Sequence, residues 1–358
     1  MLKSTLFRSC SLVAVAYLLC AQSLSAQQTV IVAASVNGVL NPTQFAGSDI
    51  GAQVNTAWQS GSTVRIPSGT YSFSTTIAHP GNGYKLECDA GTVLNYTGSG
   101  DAITLSNNNA SGNQNAGIDG EGGCLLQGTS AAQSGIHVFP SNHDWIKNIR
   151  ISGFSNGGAG YGIYDTGGNS LLIENVDVYA NRVGIDLRGV SMYGNGYAAN
   201  AVHVSHNEIS SNTNWGLVSE QGACSCTQNL GNVYSDNVFE GNGFGDLLID
   251  WDYGASVTGN YFESTGVGVD IGSTANVWST TVEHNYFTAG SPMSIEIGYG
   301  VGFNIFYNSR LQGSSSSCFV DITTGPNGGY GSVRGVGTNF VPGEKAEFCL
   351  HETPTTTP

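Results

Sequence analysis

Residues 207–217 read NEISSNTNWGL and residues 237–247 read NVFEGNGFGDL. Each stretch opens on an asparagine and, ten residues later, reaches a leucine that belongs to a short apolar run. The same interval joins Asn175 to Ile185 and Asn285 to Ile295; from Asn260 to Val269 it is one residue shorter, and Asn308 ends the series. The six asparagines are 32, 30, 23, 25 and 23 residues apart. A fixed offset inside a repeat of variable length is the pattern of a coiled solenoid, whose loops stretch while its strands keep register. The asparagines themselves read as structural. Their amides can bond one above another and satisfy a buried turn.

Composition agrees. The chain has 51 glycines in 358 residues, about twice the usual share, and charged residues make up only 10%. Short strands joined by many tight turns need such a mixture. A hydrophobic fraction of 40% excludes general disorder. The pattern predicts an all-β solenoid forming one domain over residues 27–350. A capping helix within about 45–60 would start at Ser48 or Asp49 and bury Ile50, Val54 and Trp58. Phe239, Phe262 and Phe287 each follow a ladder asparagine by two residues and should stack in the core. Residues 351–358, rich in Thr and Pro, read as a flexible tail.

Residues 1–26 read as a secretion signal: Lys3 and Arg8, an apolar run from Leu12 to Cys20, then the small-residue exit Ser23-Leu24-Ser25-Ala26. No later segment is long and apolar enough to cross a membrane. Without the signal the formal charge is 9 − 26 = −17. A surface this acidic repels nucleic acid and anionic lipid, and would repel a polyanionic glycan unless a cation bridged the two. Six cysteines remain, and in a secreted chain they read first as disulfides. Cys88 with Cys124, and Cys318 with Cys349, are about one coil apart; Cys224 and Cys226 share a loop.

Asp49 to Ala57, the run Val64-Arg65-Ile66-Pro67-Ser68-Gly69-Thr70-Tyr71, and Gly91-Thr92-Val93-Leu94-Asn95-Tyr96-Thr97-Gly98 together resemble the pectate-lyase superfamily. The resemblance covers about residues 45–350. It implies a single-stranded right-handed parallel β-helix of the pectin-lyase-like type, a fold that hosts lyases, hydrolases, epimerases, phage spikes and adhesins. The two-Asp and Gly-His-Gly signatures of polygalacturonases are absent.

Strand side chains alternate, so the register assigns faces. Ile185 and Leu187, Leu217 and Ser219, Leu247 and Ile249, Val269 and Ile271, and Ile295 and Ile297 should point inward. Asp186, Val218, Leu248, Asp270 and Glu296 should then point outward, followed by Arg188, Glu220, Asp250, Gly272 and Gly298. Asp252 would extend this face, with Trp251 inward. The two glycines would leave a trough beside the charges. Two carboxylates about 5 Å apart on adjacent coils repel by roughly 3 kcal/mol at an effective dielectric near 20. Three arrangements relieve this: one carboxyl stays protonated, a calcium ion sits between them, or the side chains splay into water.

Catalysis is therefore assigned to Glu220, Asp250, Asp252 and Arg188, and substrate binding to Asp186, Asp270, Glu296, Trp215 and Tyr253. The expected partner is an extracellular polysaccharide, with no nucleic acid or membrane. Two carboxylates can hydrolyse a glycosidic bond. In the alternative, implied by the resemblance to calcium-dependent pectate lyases, Glu220, Asp250 and Asp252 hold Ca²⁺ and Arg188 is the base. A third reading is a non-catalytic glycan-binding or adhesive β-helix. Tyr193 and Tyr197 are further stacking candidates. Asp165 falls on an inward offset. His203, His206 and His284 read as surface or turn positions.

Overall fold

The computed structural model describes residues 35–36, 38–105, 113–192, 195–222, 228–275, 277–288, 294–298, 300–310, 320–323, 334–336 and 348–351. Parallel strands wind into a solenoid with three walls. The first wall includes Lys85–Cys88, Leu172–Glu174, His203–Ser205 and Val233–Ser235. The second includes Val93–Tyr96, Asp177–Tyr179, Glu208–Ser210 and Val238–Glu240. The third runs through Ser134–Val138, Tyr161–Asp165, Val183–Met192, Trp215–Gln221, Gly245–Ile249, Val267–Ile271 and Ile295–Ile297. Every strand of the third wall pairs in parallel with the strand one coil away. Parallel pairing through Phe348–His351 carries this wall as far as His351, the first residue assigned to the tail.

The N-terminal end is closed as the sequence requires. Helix Ile50–Ala57 is capped by Asp49, whose Oδ1 accepts the Ala52 N–H while its Oδ2 accepts those of Ser74 and Thr75. Ile50, Val54 and Trp58 are buried. Cys88 and Cys124 form a disulfide between coils. Cys224, Cys226 and Cys318, the Cys318–Cys349 pairing and residues 1–26 lie outside the described residues.

Inward residues on the third wall match the offsets: Ile185, Leu187, Leu217, Ser219, Leu247, Ile249, Val269, Ile271, Ile295 and Ile297 are all buried. Phe239, Phe262 and Phe287 stack with centroids 5.0 and 4.8 Å apart. The asparagine ladder holds from Asn207 to Asn308. Each Oδ1 accepts the backbone N–H and the side-chain amide of the previous rung, as in Asn237 Oδ1 from Asn207 N at 3.0 Å and Nδ2 at 2.9 Å. Asn175 is not a rung. Strand register sets it beside His206, and Val176 beside Asn207, whose Oδ1 accepts the Val176 N–H. Asn175 is instead the exposed left-handed turn residue, with φ 53°. Its offset to Ile185 still works because the next turn is one residue shorter than its counterpart before Trp215.

A second ladder, which the spacing of the first does not reveal, occupies the corner between the second and third walls. Asn181 donates to Asn212, and Asn212 to Asn242. Opposite it runs a column of glycines, Gly162, Gly184 and Gly216, where a Cβ would lie 2.8–2.9 Å from a ladder amide nitrogen. On the next coil both positions change. Ser264 replaces the asparagine and Asp246 replaces the glycine, and the Asp246 carboxyl accepts from Asn242 Nδ2 at 2.9 Å and contacts Ser264 Oγ. Burial pushes Asp246 up to about 7.

Asn237→Ala removes a rung whose amide also donates to Val204 O and Asn260 Oδ1. It should cost about 3 kcal/mol of unfolding free energy, whereas Asn175→Gly should change stability by less than about 0.5 kcal/mol. Denaturant unfolding of both variants checks the phase of the ladder. Asp246 has a raised folded-state value, so its contribution is fully present below the unfolded value near 4 and is lost as pH rises through about 7. The thermal midpoint should therefore fall between pH 5 and pH 8, and Asp246→Asn should reduce that fall.

Candidate functional site on the third wall

The third wall displays its outward residues in columns. One column contains His137, Tyr164, Asp186, Val218, Leu248, Asp270 and Glu296, each in register with the next. Beside it Arg188 faces Glu220 across one coil step. Asp250 follows on the next coil, its N–H bonded to Ser219 O at 2.7 Å. Arg188 and Glu220 thus share one outward register, while Asp250 lies just past the end of its strand and is buried.

The charges are arranged around Arg188. Its Nη2 donates to Asp186 Oδ2 at 2.7 Å and also to Glu220 Oε1. Its guanidinium carbon lies 5.7 and 5.6 Å from the ring centroids of Tyr161 and Tyr164, which stack on each other at 4.6 Å. Both tyrosines face outward because inward Gly162 and Ile163 lie between them. The Asp186 side chain is 1% exposed and that of Glu220 is 31% exposed, so only Glu220 can meet a ligand. Burial raises Asp186 to about 7 against the pull of Arg188. Burial raises Glu220 too, Arg188 opposes, and Asp250 adds to the rise. One cation thus serves two carboxyls, and an extra proton on the pair is favoured by the same physics that neutralises close acidic pairs.

The remaining sequence candidates divide. Asp270 is nearly buried and raised to about 7 by burial and by Glu296, its register neighbour on the next coil. Trp215 lies half-buried on the outer side of the wall over Gly245, against a small apolar cluster of Tyr161, Val183 and Val218. Tyr253 is exposed and meets Trp278 edge-on at 5.9 Å, on the short ladder that joins the third wall back to the first. Tyr197 is half-buried beside Gly167, and Tyr193 lies outside the described residues. His203, His206 and His284 are exposed on the first wall and its turn.

Asp252 is a correction. The strand ends at Ile249 and the chain turns at Asp250 and Trp251, so alternation restarts and Asp252 points into the core. It is fully buried, accepts from Asn232 Nδ2 at 2.9 Å and from Ser219 Oγ and Tyr234 OH at 3.2 Å, and burial raises it to about 6. It cannot contact a substrate. Asp250 is occupied locally: it accepts the N–H groups of Thr274 at 2.6 Å and Ala275 at 2.9 Å and the Thr274 hydroxyl. Glu220, Asp250 and Asp252 therefore do not converge as a calcium-binding trio. Among the described residues no group of three or more His, Cys, Asp or Glu is placed to hold a metal ion. A Cβ on Gly298 would collide with the Gly272 carbonyl, so the space beside Gly298 is filled by the backbone of the neighbouring coil. Asp165 is buried as its offset requires.

The earlier coils of this face escape a count that starts from the asparagines. His137 Nδ1 is 2.8 Å from Asp101 Oδ2, its Nε2 is 3.2 Å from Thr166 Oγ1, and its ring stacks on Phe139 at 4.1 Å. His137 and Tyr164 share the column of Asp186, but they precede Asn175, the first asparagine of the series. Stepping back from Asp186 by one coil reaches Tyr164.

Comparison with known proteins gives a consistent picture. The family model described as "Right handed beta helix region" matches residues 91–262. No curated protein sequence matches the chain. Among solved structures, an alginate lyase from Paenibacillus sp. str. FPU-7 superposes with a TM-score of 0.59 at 13% identity, covering 80% of this chain and 99% of the lyase. The surface protein and adhesin PfbA of Streptococcus pneumoniae gives 0.58 at 11%, covering 87% and 100%. The A-module of the Azotobacter vinelandii mannuronan C-5 epimerase AlgE4 gives 0.54 at 15%, covering 87% and 99%. At these identities the likeness is one of fold, and an enzyme and an adhesin share it equally well. The chain folds as a right-handed parallel β-helix.

Proposed function

We propose that the chain is a secreted protein that binds an extracellular polysaccharide along the third wall and hydrolyses its glycosidic bonds there. The observation that carries this reading is Glu220: a partly exposed carboxyl, raised by burial, that shares Arg188 with buried Asp186. A carboxyl whose proton affinity is raised by burial is better able to give its proton to a leaving glycosidic oxygen. Asp250 is the second carboxyl in this reading; it is buried and held by three hydrogen bonds, so it would have to release the Thr274 hydroxyl to receive the proton of the attacking water. Asp186 acts through Arg188 as a positioning residue. Tyr164 and Trp215, backed by buried Tyr161, offer partly exposed rings to a sugar, and Asp270 with Glu296 continues the acidic face.

A non-catalytic, glycan-binding role is supported by a separate observation. Leu230, Tyr253 and Trp278, all exposed, stand in register on consecutive coils of one corner. Such a strip needs no chemistry to hold an extended chain.

A panel of polysaccharides, scored for new reducing ends and for the absorbance of unsaturated uronates, separates these readings. Hydrolysis gives reducing ends without absorbance. Glu220→Gln should then lower kcat by about 10²- to 10⁴-fold with an unchanged thermal midpoint. Binding that survives on a panel showing no cleavage favours the adhesive reading.

Activity that needs protonated Glu220 should decline as pH rises through its raised value. Arg188 is the group that opposes this rise, so Arg188→Gln should move the alkaline limb of the pH–rate profile to higher pH. A limb that stays in place in this variant would remove Glu220 as the acid.

A further inference from the structure

The early coils of the first wall carry a cleft of about 450 Å³, separate from the third wall and lined by residues that include Lys85, Asp119, His143, Asp144, Trp145 and Lys147. Lys85, Gly117 and Trp145 stand in register on consecutive coils. The half-buried indole fills the space that a Gly117 side chain would need, and the Lys85 ammonium lies over it, 6.0 Å from the ring centroid. That ammonium therefore rests on an aromatic face rather than on a carboxylate. Lys147, two residues on from Trp145, pairs with Glu174 at 3.0 Å. The chain has four lysines, and two of them meet here in a protein of net charge −15.

The acidic members of the cleft are arranged differently. Asp119 Oδ1 already accepts from Asn148 Nδ2 at 3.0 Å and from Glu121 N at 2.9 Å. Asp144 is 1% exposed; its Oδ1 accepts the Ala116 N–H at 2.8 Å, while its Oδ2 is buried without a hydrogen-bond partner. A buried carboxylate oxygen left unpaired costs free energy that a ligand donor would recover. The carboxyl is also raised to about 6 by burial.

We propose that this cleft is a second glycan-binding subsite that takes an acidic sugar of the uronic acid class, its ring on Trp145, its carboxylate on Lys85 and a hydroxyl donating to Asp144 Oδ2. An aromatic face beside an ammonium suits a ring that carries an anion. The subsite does not depend on the third-wall chemistry, and would hold a long polymer while another stretch of it lies elsewhere on the solenoid.

Affinity gel electrophoresis with polygalacturonate, alginate and neutral dextran tests this directly. It is run on the full chain in the Glu220→Gln background so that cleavage does not consume the ligand. Trp145→Ala and Lys85→Gln should each weaken binding to a polyuronate about tenfold. The Lys85→Gln effect should disappear at about 0.5 M salt, where the charge contact is screened. Lys85 is exposed, so Lys85→Gln decides the matter if Trp145→Ala lowers the thermal midpoint. A parent protein that binds neither polyuronate overturns the proposal. So does a Lys85→Gln variant that binds within twofold of the parent, or one that loses dextran binding equally. Since the readout is retention and not turnover, the cleft is tested even in a protein that cleaves nothing.

Discussion

The coil-to-coil register is the constraint on which everything else rests. Parallel strands about 4.8 Å apart put chemically equivalent positions directly above one another, and buried asparagine amides fix that register at the corners. Each rung satisfies both a side-chain amide and a backbone N–H that would otherwise be stranded in the core. With the corners pinned, loops can differ in length while the walls keep their columns. Arg188 can then meet Glu220 from 32 residues away without local sequence linking them.

This register also sets the electrostatics. An acidic column on a flat wall repels itself, and the protein relieves that in three ways. Arg188 is threaded between Asp186 and Glu220. Asp250 is bound to the turn of the following coil. Asp252, Asp165 and Asp246 are taken inside, where burial favours the protonated form. Among the described residues of the wall, Glu220 combines partial exposure with a raised proton affinity.

The fold is legible in the sequence because it depends on spacing, which a single chain displays. The capping helix at Asp49, the phenylalanine stack and the inward residues of the third wall all follow from counting. The site is legible only as far as alternation runs. Arg188 and Glu220 lie inside regular strands and are placed by parity, whereas Asp252 lies past a turn where parity restarts, and its hydrogen-bond partners come from two other segments, Ser219 on one and Asn232 with Tyr234 on the other. Asn175 shows a subtler limit: a one-residue phase error at one corner is cancelled by a one-residue shorter turn at the next, so the wrong rung leads to the right strand. Tyr161 and Tyr164, one coil earlier, and His137, two coils earlier, stay hidden from a count that begins at Asn175.

The glycine column facing the second ladder has an implication for how such a chain can drift. A methyl group on Gly216 would press on the amide of Asn242, so neither side of that corner can change alone. Ser264 and Asp246 make up the one described step where both differ, a smaller rung facing a larger opposite residue. Substitutions at this seam are coupled in pairs, and a relative carrying asparagine at the position of Ser264 would be expected to carry glycine at that of Asp246.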